Sequence, residues 1–176
     1  MFKSTLSATM MAAILSAGTA QADSVEVYLT DMLDNTQAGY CLDIAGGKGA
    51  DADPANGLQG HTCYSPLGEL LVDQIFDIDR FADGKLYMTE FDVCAQVTGL
   101  EAGAQIELAD CDDSDVQSFI FSGEGVISPS AAQDMCLTVG EDTRSGRSDT
   151  NQIKTLTLQL CSTEQAAFQN WATRSE

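Results

Sequence analysis

Gln74-Ile75-Phe76, Gln117-Ser118-Phe119 and Gln169-Asn170-Trp171 are three occurrences of one short pattern, Gln-x-aromatic. Each follows a pair of cysteines: Cys41 and Cys63, then Cys94 and Cys111, then Cys136 and Cys161. The same order three times is an internal repeat, and a repeat constrains a fold before any local propensity does. It predicts three copies of one small unit, over about residues 25–82, 83–123 and 124–174, each stapled within itself. Counting alone leaves many pairings of six cysteines open. The repeat selects Cys41–Cys63, Cys94–Cys111 and Cys136–Cys161. Each bridge closes a short loop and is worth roughly 3 kcal/mol against the unfolded chain.

Short β-rich runs recur with the cysteines. The first unit gives Val25–Leu29, Tyr40–Ile44, Leu58–Cys63 and Gln74–Ile78. The second gives Lys85–Phe91, Cys94–Thr98, Gln105–Cys111 and Gln117–Phe121. The third gives Gly125–Ser128, Met135–Val139, Leu156–Cys161 and Phe168–Ala172. Several alternate apolar and polar residues, as half-buried strands do. Leu156, Leu158 and Leu160 share one face, opposite Thr157 and Gln159. Turn signals separate the runs at Gly46-Gly47, Asp83-Gly84, Gly123 with Gly125, and Ser145-Gly146. Only Pro66–Val72 has the look of a helical turn, and Asp142–Gln152 reads as a long polar surface loop. Four strands per unit call for a closed or capped all-β arrangement that leaves few open edges. The aromatic ring of each Gln-x-aromatic is expected in a shared core, and the glutamine before it on backbone of its own unit.

The N-terminus reads as an export signal. Lys3 gives a positive start, an apolar stretch runs around Met10 to Leu15, and Ala20-Gln21-Ala22 is a small-x-small cleavage site. Cleavage after Ala22 leaves residues 23–176 as a single domain. The apolar stretch is short of the roughly 20 residues that span a bilayer, so no membrane insertion is expected. Six cysteines in an exported chain read as disulfides rather than metal ligands, which places the mature protein in the periplasm or outside the cell. With 27 acidic and 8 basic residues the formal charge is −19. Such a field repels nucleic acid and anionic membranes and disfavours polyanionic ligands.

The stretch Gly39-Tyr40-Cys41-Leu42-Asp43-Ile44, then Asn56-Gly57-Leu58-Gln59-Gly60-His61-Thr62-Cys63, then Asp73-Gln74-Ile75-Phe76 resembles a repeat of the ricin-type β-trefoil lectin family. That pattern is Cys-x-Asp-hydrophobic, a strand ending in Cys, then Gln-x-Trp, and the resemblance covers about residues 25–174. Only Trp171 keeps the family's tryptophan, with Phe76 and Phe119 in its place elsewhere. The resemblance implies an all-β fold: a β-trefoil of three four-stranded repeats with pseudo-threefold symmetry and one disulfide inside each repeat. It also implies binding of galactose-like sugars.

A neutral sugar presents hydroxyls and one apolar C–H face. The resemblance puts an acceptor carboxylate at Asp43, amides at Gln59 and Gln74, a flat ring at His61 and a further polar group at Asp73. The second unit has Gln96, Glu107 and Ala109 at the first three of these positions, and Val116 before its glutamine. The third offers Thr138, Thr157, Gln159 and Phe168. Neither has the acid at the first position, so one sugar site is expected, in the first unit.

Other constellations point nowhere sharper. The run from Asp110 to Asp115 lacks the glycine and the late glutamate of a calcium loop and reads as a solvated acidic turn. His61 is the only histidine, and Gly-x-Ser-x-Gly does not occur, so no nucleophile–base pair stands out. The expectation is an exported, non-catalytic carbohydrate-binding module without metal or cofactor. The rival is a protein-interaction subunit that uses the trefoil without sugar: a toxin-delivery partner, an inhibitor or a surface scaffold.

Overall fold

Buried glutamines organise the chain around its cysteines. In the computed structural model, which describes residues 23–68 and 71–175, Gln74 accepts from the Tyr64 N–H at 3.1 Å and donates to the Thr62 carbonyl at 3.1 Å. Gln117 accepts from the Asp112 N–H at 2.8 Å and donates to the Asp110 carbonyl at 2.9 Å. Gln169 accepts from the Ser162 N–H at 3.0 Å and donates to the Leu160 carbonyl at 2.9 Å. Each side chain thus clasps the backbone on both sides of a cysteine, at Cys63, Cys111 and Cys161. The disulfides join Cys41 to Cys63, Cys94 to Cys111 and Cys136 to Cys161, with Cα–Cα separations of 5.0, 5.0 and 5.1 Å. The export signal expected before residue 23 lies outside the described residues.

The strands are short. They are β1 (Ser24–Leu29), β2 (Tyr40–Ile44), β3 (Leu58–Thr62), β4 (Ile75–Asp77), β5 (Tyr87–Met88), β6 (Val93–Val97), β7 (Ile106–Ala109) and β8 (Phe119–Ile120). Then come β9 (Glu124–Val126), β10 (Ser128–Pro129), β11 (Met135–Val139), β12 (Arg144–Ser145), β13 (Gln152–Lys154), β14 (Leu156–Leu160) and β15 (Asn170–Arg174). One four-residue helix, α1 (Ala166–Gln169), precedes the last strand. Each disulfide staples an antiparallel hairpin at or beside its end: β2–β3, β6–β7 and β11–β14. The largest sheet runs β12-β13-β3-β2-β1-β15-β9, with β4 also on β1.

Closure between the chain's two ends is antiparallel pairing of β1 with β15. A buried ion pair reinforces it: both Arg174 Nε and Nη2 reach Glu26 Oε2 at 2.7 Å. Glu26 is fully buried, and its other oxygen accepts from the Ser65 N–H at 3.1 Å. An uncompensated carboxylate there would cost several kcal/mol. Gly57 packs against the backbone of β7. It sits at φ +70°, and a Cβ on it would meet the Ile106 carbonyl oxygen at 2.7 Å, so no other residue fits.

The core draws on strands from β1 to β15. Phe76, Trp171 and Phe119 are inside it, with Leu29, Leu42, Met88, Ile127, Leu137 and Leu158. The Trp171 indole N–H donates to the Leu137 carbonyl at 3.1 Å, so its one polar atom is satisfied.

The expected strands Tyr40–Ile44 and Met135–Val139 are observed with those bounds. Three expectations need correction. The run Lys85–Phe91 is strand only at Tyr87–Met88, because turns flank it: the Lys85 N–H donates back to the Arg80 carbonyl at 3.0 Å and the Phe91 N–H to the Met88 carbonyl at 3.3 Å. Phe168 belongs to α1, and the strand begins at Asn170. The polar stretch Asp142–Gln152 is no free loop: β12 and β13 form a hairpin that adds to the edge of β3, Ile153 opposite His61 and Lys154 opposite Gly60. Thr62 Oγ1 donates to the Thr150 carbonyl and accepts from the Gln152 N–H, both at 2.9 Å. On the Leu156 face, Leu156 and Leu158 are buried while Leu160 is 61% exposed at the strand end.

Trp171→Ala and Phe76→Ala are expected to destabilise the protein by roughly 3–5 kcal/mol each, since both rings are fully buried. Denaturant melts measure this. Losses under about 1 kcal/mol would be those of surface residues.

Candidate functional site

The β2–β3 register sets Asp43 opposite Gln59 and Cys41 opposite His61. Side chains opposite one another, and those two apart along a strand, share a face. Asp43, Gln59 and His61 therefore project together from one hairpin, beside the Cys41–Cys63 bridge. The turn at Val72–Gln74 packs against the same hairpin and delivers Asp73 and Gln74.

Asp43 is the centre of this group. Its Oδ1 accepts from Gln59 Nε2 at 2.8 Å and its Oδ2 from Gln74 Nε2 at 2.9 Å. Arg144, from the β12 strand, donates to Gln59 Oε1 at 3.3 Å. A chain of donors thus runs from Arg144 through Gln59 to Asp43. Burial pushes the Asp43 carboxyl from an ordinary 3.8 up to about 8, against the pull of the two amide donors, and the Asp73 charge adds to the rise.

Asp73 is fully buried, and neither carboxylate oxygen has a hydrogen-bond partner among the described residues. Burial raises its pKa as well. The nearby Gly49 and Asp73 backbone N–H groups and the Lys48 ammonium pull the other way without closing a hydrogen bond. A buried acceptor left open costs about 1–3 kcal/mol, more if charged.

His61 lies inside as well, 7% exposed, with Nδ1 on the Thr62 carbonyl at 2.9 Å. The carbonyl partner makes Nδ1 the protonated nitrogen. Nδ1 stands 3.9 Å from Asp43 Oδ2, and burial lowers the His61 pKa, so the ring is neutral at pH 7. The Tyr64 ring leans against it, centroids 5.3 Å apart and planes at 53°. The structure thus brings all five residues singled out in the sequence into one cluster. It also sets His61 within the packing, where its faces are covered.

The other hairpins fill the same places differently. In the second, Gln96 lies opposite Glu107, donates to its carboxylate at 3.3 Å and accepts from Gln117 at 3.3 Å. In the third, Thr138 lies opposite Thr157 and accepts from Gln169 at 2.9 Å. Phe168 is partly buried against the core. Neither hairpin holds a carboxylate where Asp43 stands.

Tyr64, Lys48 and Arg144 were not singled out in the sequence. Arg144 and Lys48 are two of only 8 basic residues, a signal that position along the chain did not connect to the first unit. Lys48 Nζ lies over the Tyr64 ring, 5.1 Å from its centroid.

Antiparallel hairpins, each locked by a disulfide and a buried glutamine, define an all-β protein of trefoil type. A model of the ricin-type beta-trefoil lectin domain matches residues 82–176, more than half of the chain. The chain belongs to that family, which is one of carbohydrate-binding domains. The matched stretch begins beyond the Asp43 cluster. No curated protein matches the sequence. Among solved structures, the agglutinin from Abrus precatorius superposes with a TM-score of 0.59 at 17% identity, covering 91% of this chain and 51% of that one. The chain therefore spans about half the length of that agglutinin. The C-half of an earthworm R-type lectin, in complex with GalNAc, gives a TM-score of 0.53 at 19% identity over 88% of this chain and 99% of that one. The designed threefold-symmetric protein ThreeFoil gives 0.56 at 15% identity, with 88% and 99% covered. At these identities the likeness is one of fold.

A raised carboxyl binds its proton more tightly folded than unfolded, so its contribution to stability is full below the unfolded pKa and lost as pH rises through the folded one. Asp43 and Asp73 both act in this direction. Urea melts from about pH 5 to pH 9 are expected to show the wild type losing stability relative to Asp43→Asn. Parallel curves would place the Asp43 carboxyl in an unperturbed environment.

Proposed function

We propose that the protein is an exported, non-catalytic carbohydrate-binding module with one galactose-type sugar site in its first unit. Asp43, Gln59, His61, Asp73 and Gln74 form that site. The observation that carries this reading is the Asp43 carboxylate, held on one oxygen by Gln59 and on the other by Gln74. Each oxygen retains a lone pair for a sugar hydroxyl. Asp73, with both oxygens open, supplies a second acceptor beside it. His61 serves as a packed support of the Asp43 cluster. The galactose type is supported by the GalNAc in complex with the earthworm lectin, a fold likeness at 19% identity.

The same reading takes the chain as a signal of residues 1–22 followed by one trefoil domain, residues 23–176, built of three repeats at about 25–82, 83–123 and 124–174. The three glutamine clasps and three hairpin disulfides support the repeat, one of each per unit. Three disulfides suit an oxidising compartment, periplasmic or extracellular.

A second reading, a protein-interaction surface, is favoured by one observation. Ile120 and Val126, 49% and 42% exposed, line a groove with Phe81 and Phe121 away from the Asp43 cluster.

A glycan array with the oxidised mature protein separates the two. Titration calorimetry with the best glycan is expected to show that Asp43→Ala removes about 2–3 kcal/mol of binding energy, because it deletes a buried polar group that Gln59 and Gln74 already orient. Substitutions at Gln96 and Thr138 are expected to leave binding unchanged. Full binding by Asp43→Ala moves the site elsewhere, and silence across the array favours the protein-interaction reading.

A further inference from the structure

A sugar's apolar C–H face needs a flat ring to rest on, and the residue that the family pattern places there does not offer one. His61 is covered on one side by Tyr64, has its Nδ1 tied to backbone, and lies in a strand flanked by β13. Tyr64 is different. It is half-buried and lines an open groove of about 450 Å³ with Lys48, Leu67, Gly68, Leu71 and Asn151. Its root is fixed by the clasp that holds the acceptor: Gln74 takes the Tyr64 N–H on Oε1 and gives its Nε2 to Asp43. Ring and carboxylate are therefore set against each other by a single side chain.

Lys48 covers that ring. Its ammonium sits 5.1 Å from the Tyr64 centroid, on an exposed side chain at the start of the turn Gly49–Asp51. The same turn packs over Val72–Gln74, where the two open oxygens of Asp73 are buried. An exposed cation over a half-buried ring is held weakly, so a ligand that stacks on the ring can take its place.

We propose that Tyr64 is the stacking platform of the sugar site and that Lys48, with the turn behind it, is the cap that a neutral pyranose displaces to reach Asp73 and Asp43. This rests on the carbohydrate-binding reading and adds to it a specificity-determining ring and a moving part. The bound sugar lays its C–H face on Tyr64 and gives hydroxyl protons to Asp73 and Asp43. In that state the two Asp73 oxygens gain hydroxyl donors. Gln74 bonds both the Tyr64 N–H and the Asp43 carboxyl, so the ring and the acid cluster share one anchor.

The test is titration calorimetry of the oxidised mature protein with N-acetylgalactosamine and with 6'-sialyllactose. The variants are Tyr64→Ala, Tyr64→Phe, Lys48→Ala and Asp43→Ala, each checked for an unchanged thermal midpoint. Tyr64→Ala is expected to weaken binding of N-acetylgalactosamine by about tenfold or more, and Tyr64→Phe by less than about threefold, since the ring remains. Lys48→Ala is expected to tighten binding about two- to fivefold, the worth of one exposed cation–π contact. If Asp43→Ala abolishes binding while Tyr64→Ala binds like the wild type, the platform lies elsewhere and this proposal falls, while the carbohydrate reading stands. If Lys48→Ala weakens binding, or does so only for the sialylated probe, Lys48 is a ligand contact and the cap is wrong. Silence from both the wild type and Lys48→Ala sinks the carbohydrate reading and the proposal with it.

Discussion

The buried glutamine clasp is the constraint on which the rest of the structure hangs. Gln74, Gln117 and Gln169 are at most 1% exposed. An amide so placed must find partners for its oxygen and its two N–H groups or cost the fold several kcal/mol over three sites. Each finds the same solution: the N–H after a cysteine, the carbonyl before it, and the side chain two residues past the partner cysteine. The disulfide fixes one end of the hairpin and the amide fixes the turn that follows it. The aromatic two residues further on is then delivered to the core without further choice.

That third partner decides what each hairpin can do. Thr138 offers Gln169 a hydroxyl, and Gln96 offers Gln117 an amide oxygen. Both are neutral acceptors, content with the clasp. Asp43 offers Gln74 a carboxylate, which has capacity left after Gln74 and Gln59 have bonded to it. One side chain in an otherwise structural slot turns the first hairpin into a candidate binding centre. The cost is burial of an acid that prefers water, seen in its raised pKa.

The features legible in the sequence are those with a period. Cysteine pairs, Gln-x-aromatic and strands with local alternation recur at fixed spacing and make the fold legible, whereas Asp43, Gln59, His61, Asp73 and Gln74 are grouped only by the resemblance of their stretch to a ricin-type repeat. The features that were missed have distant partners and no period. The β12–β13 hairpin is polar throughout its turn and is held by the open edge of β3, far away in the chain. Nothing within Asp142–Gln152 itself encodes that edge. Burial was equally out of reach: His61 as an exposed platform and His61 as a packed ring have the same sequence, and only the neighbouring Tyr64 decides between them. Short-range patterns specify which side chains share a face; long-range contacts specify whether that face sees water.

The few cations show how an acidic chain can still hold a shape. Lys85 Nζ ends on the Asp112 carbonyl and Lys154 Nζ on the Glu141 carbonyl, both nearly out of solvent. Arg174 neutralises Glu26 at the closure of the two chain ends. These cations end on backbone carbonyls and on one buried acid, and a buried charge that loses its partner is costly. Lys48 and Arg144, like Arg147, are exposed, and the first two lie close enough to His61 to depress its pKa. Screening by solvent makes exposed charges weak holders of structure. Arg144 is tied to the Asp43 cluster through Gln59, whereas Lys48 meets the Tyr64 ring beside the open oxygens of Asp73. With Lys48 as the proposed cap, the centre of Asp43, Gln59 and Gln74 is held by its own hydrogen bonds and the Tyr64 ring is covered by one exposed cation, so a ligand can displace the second without disturbing the first.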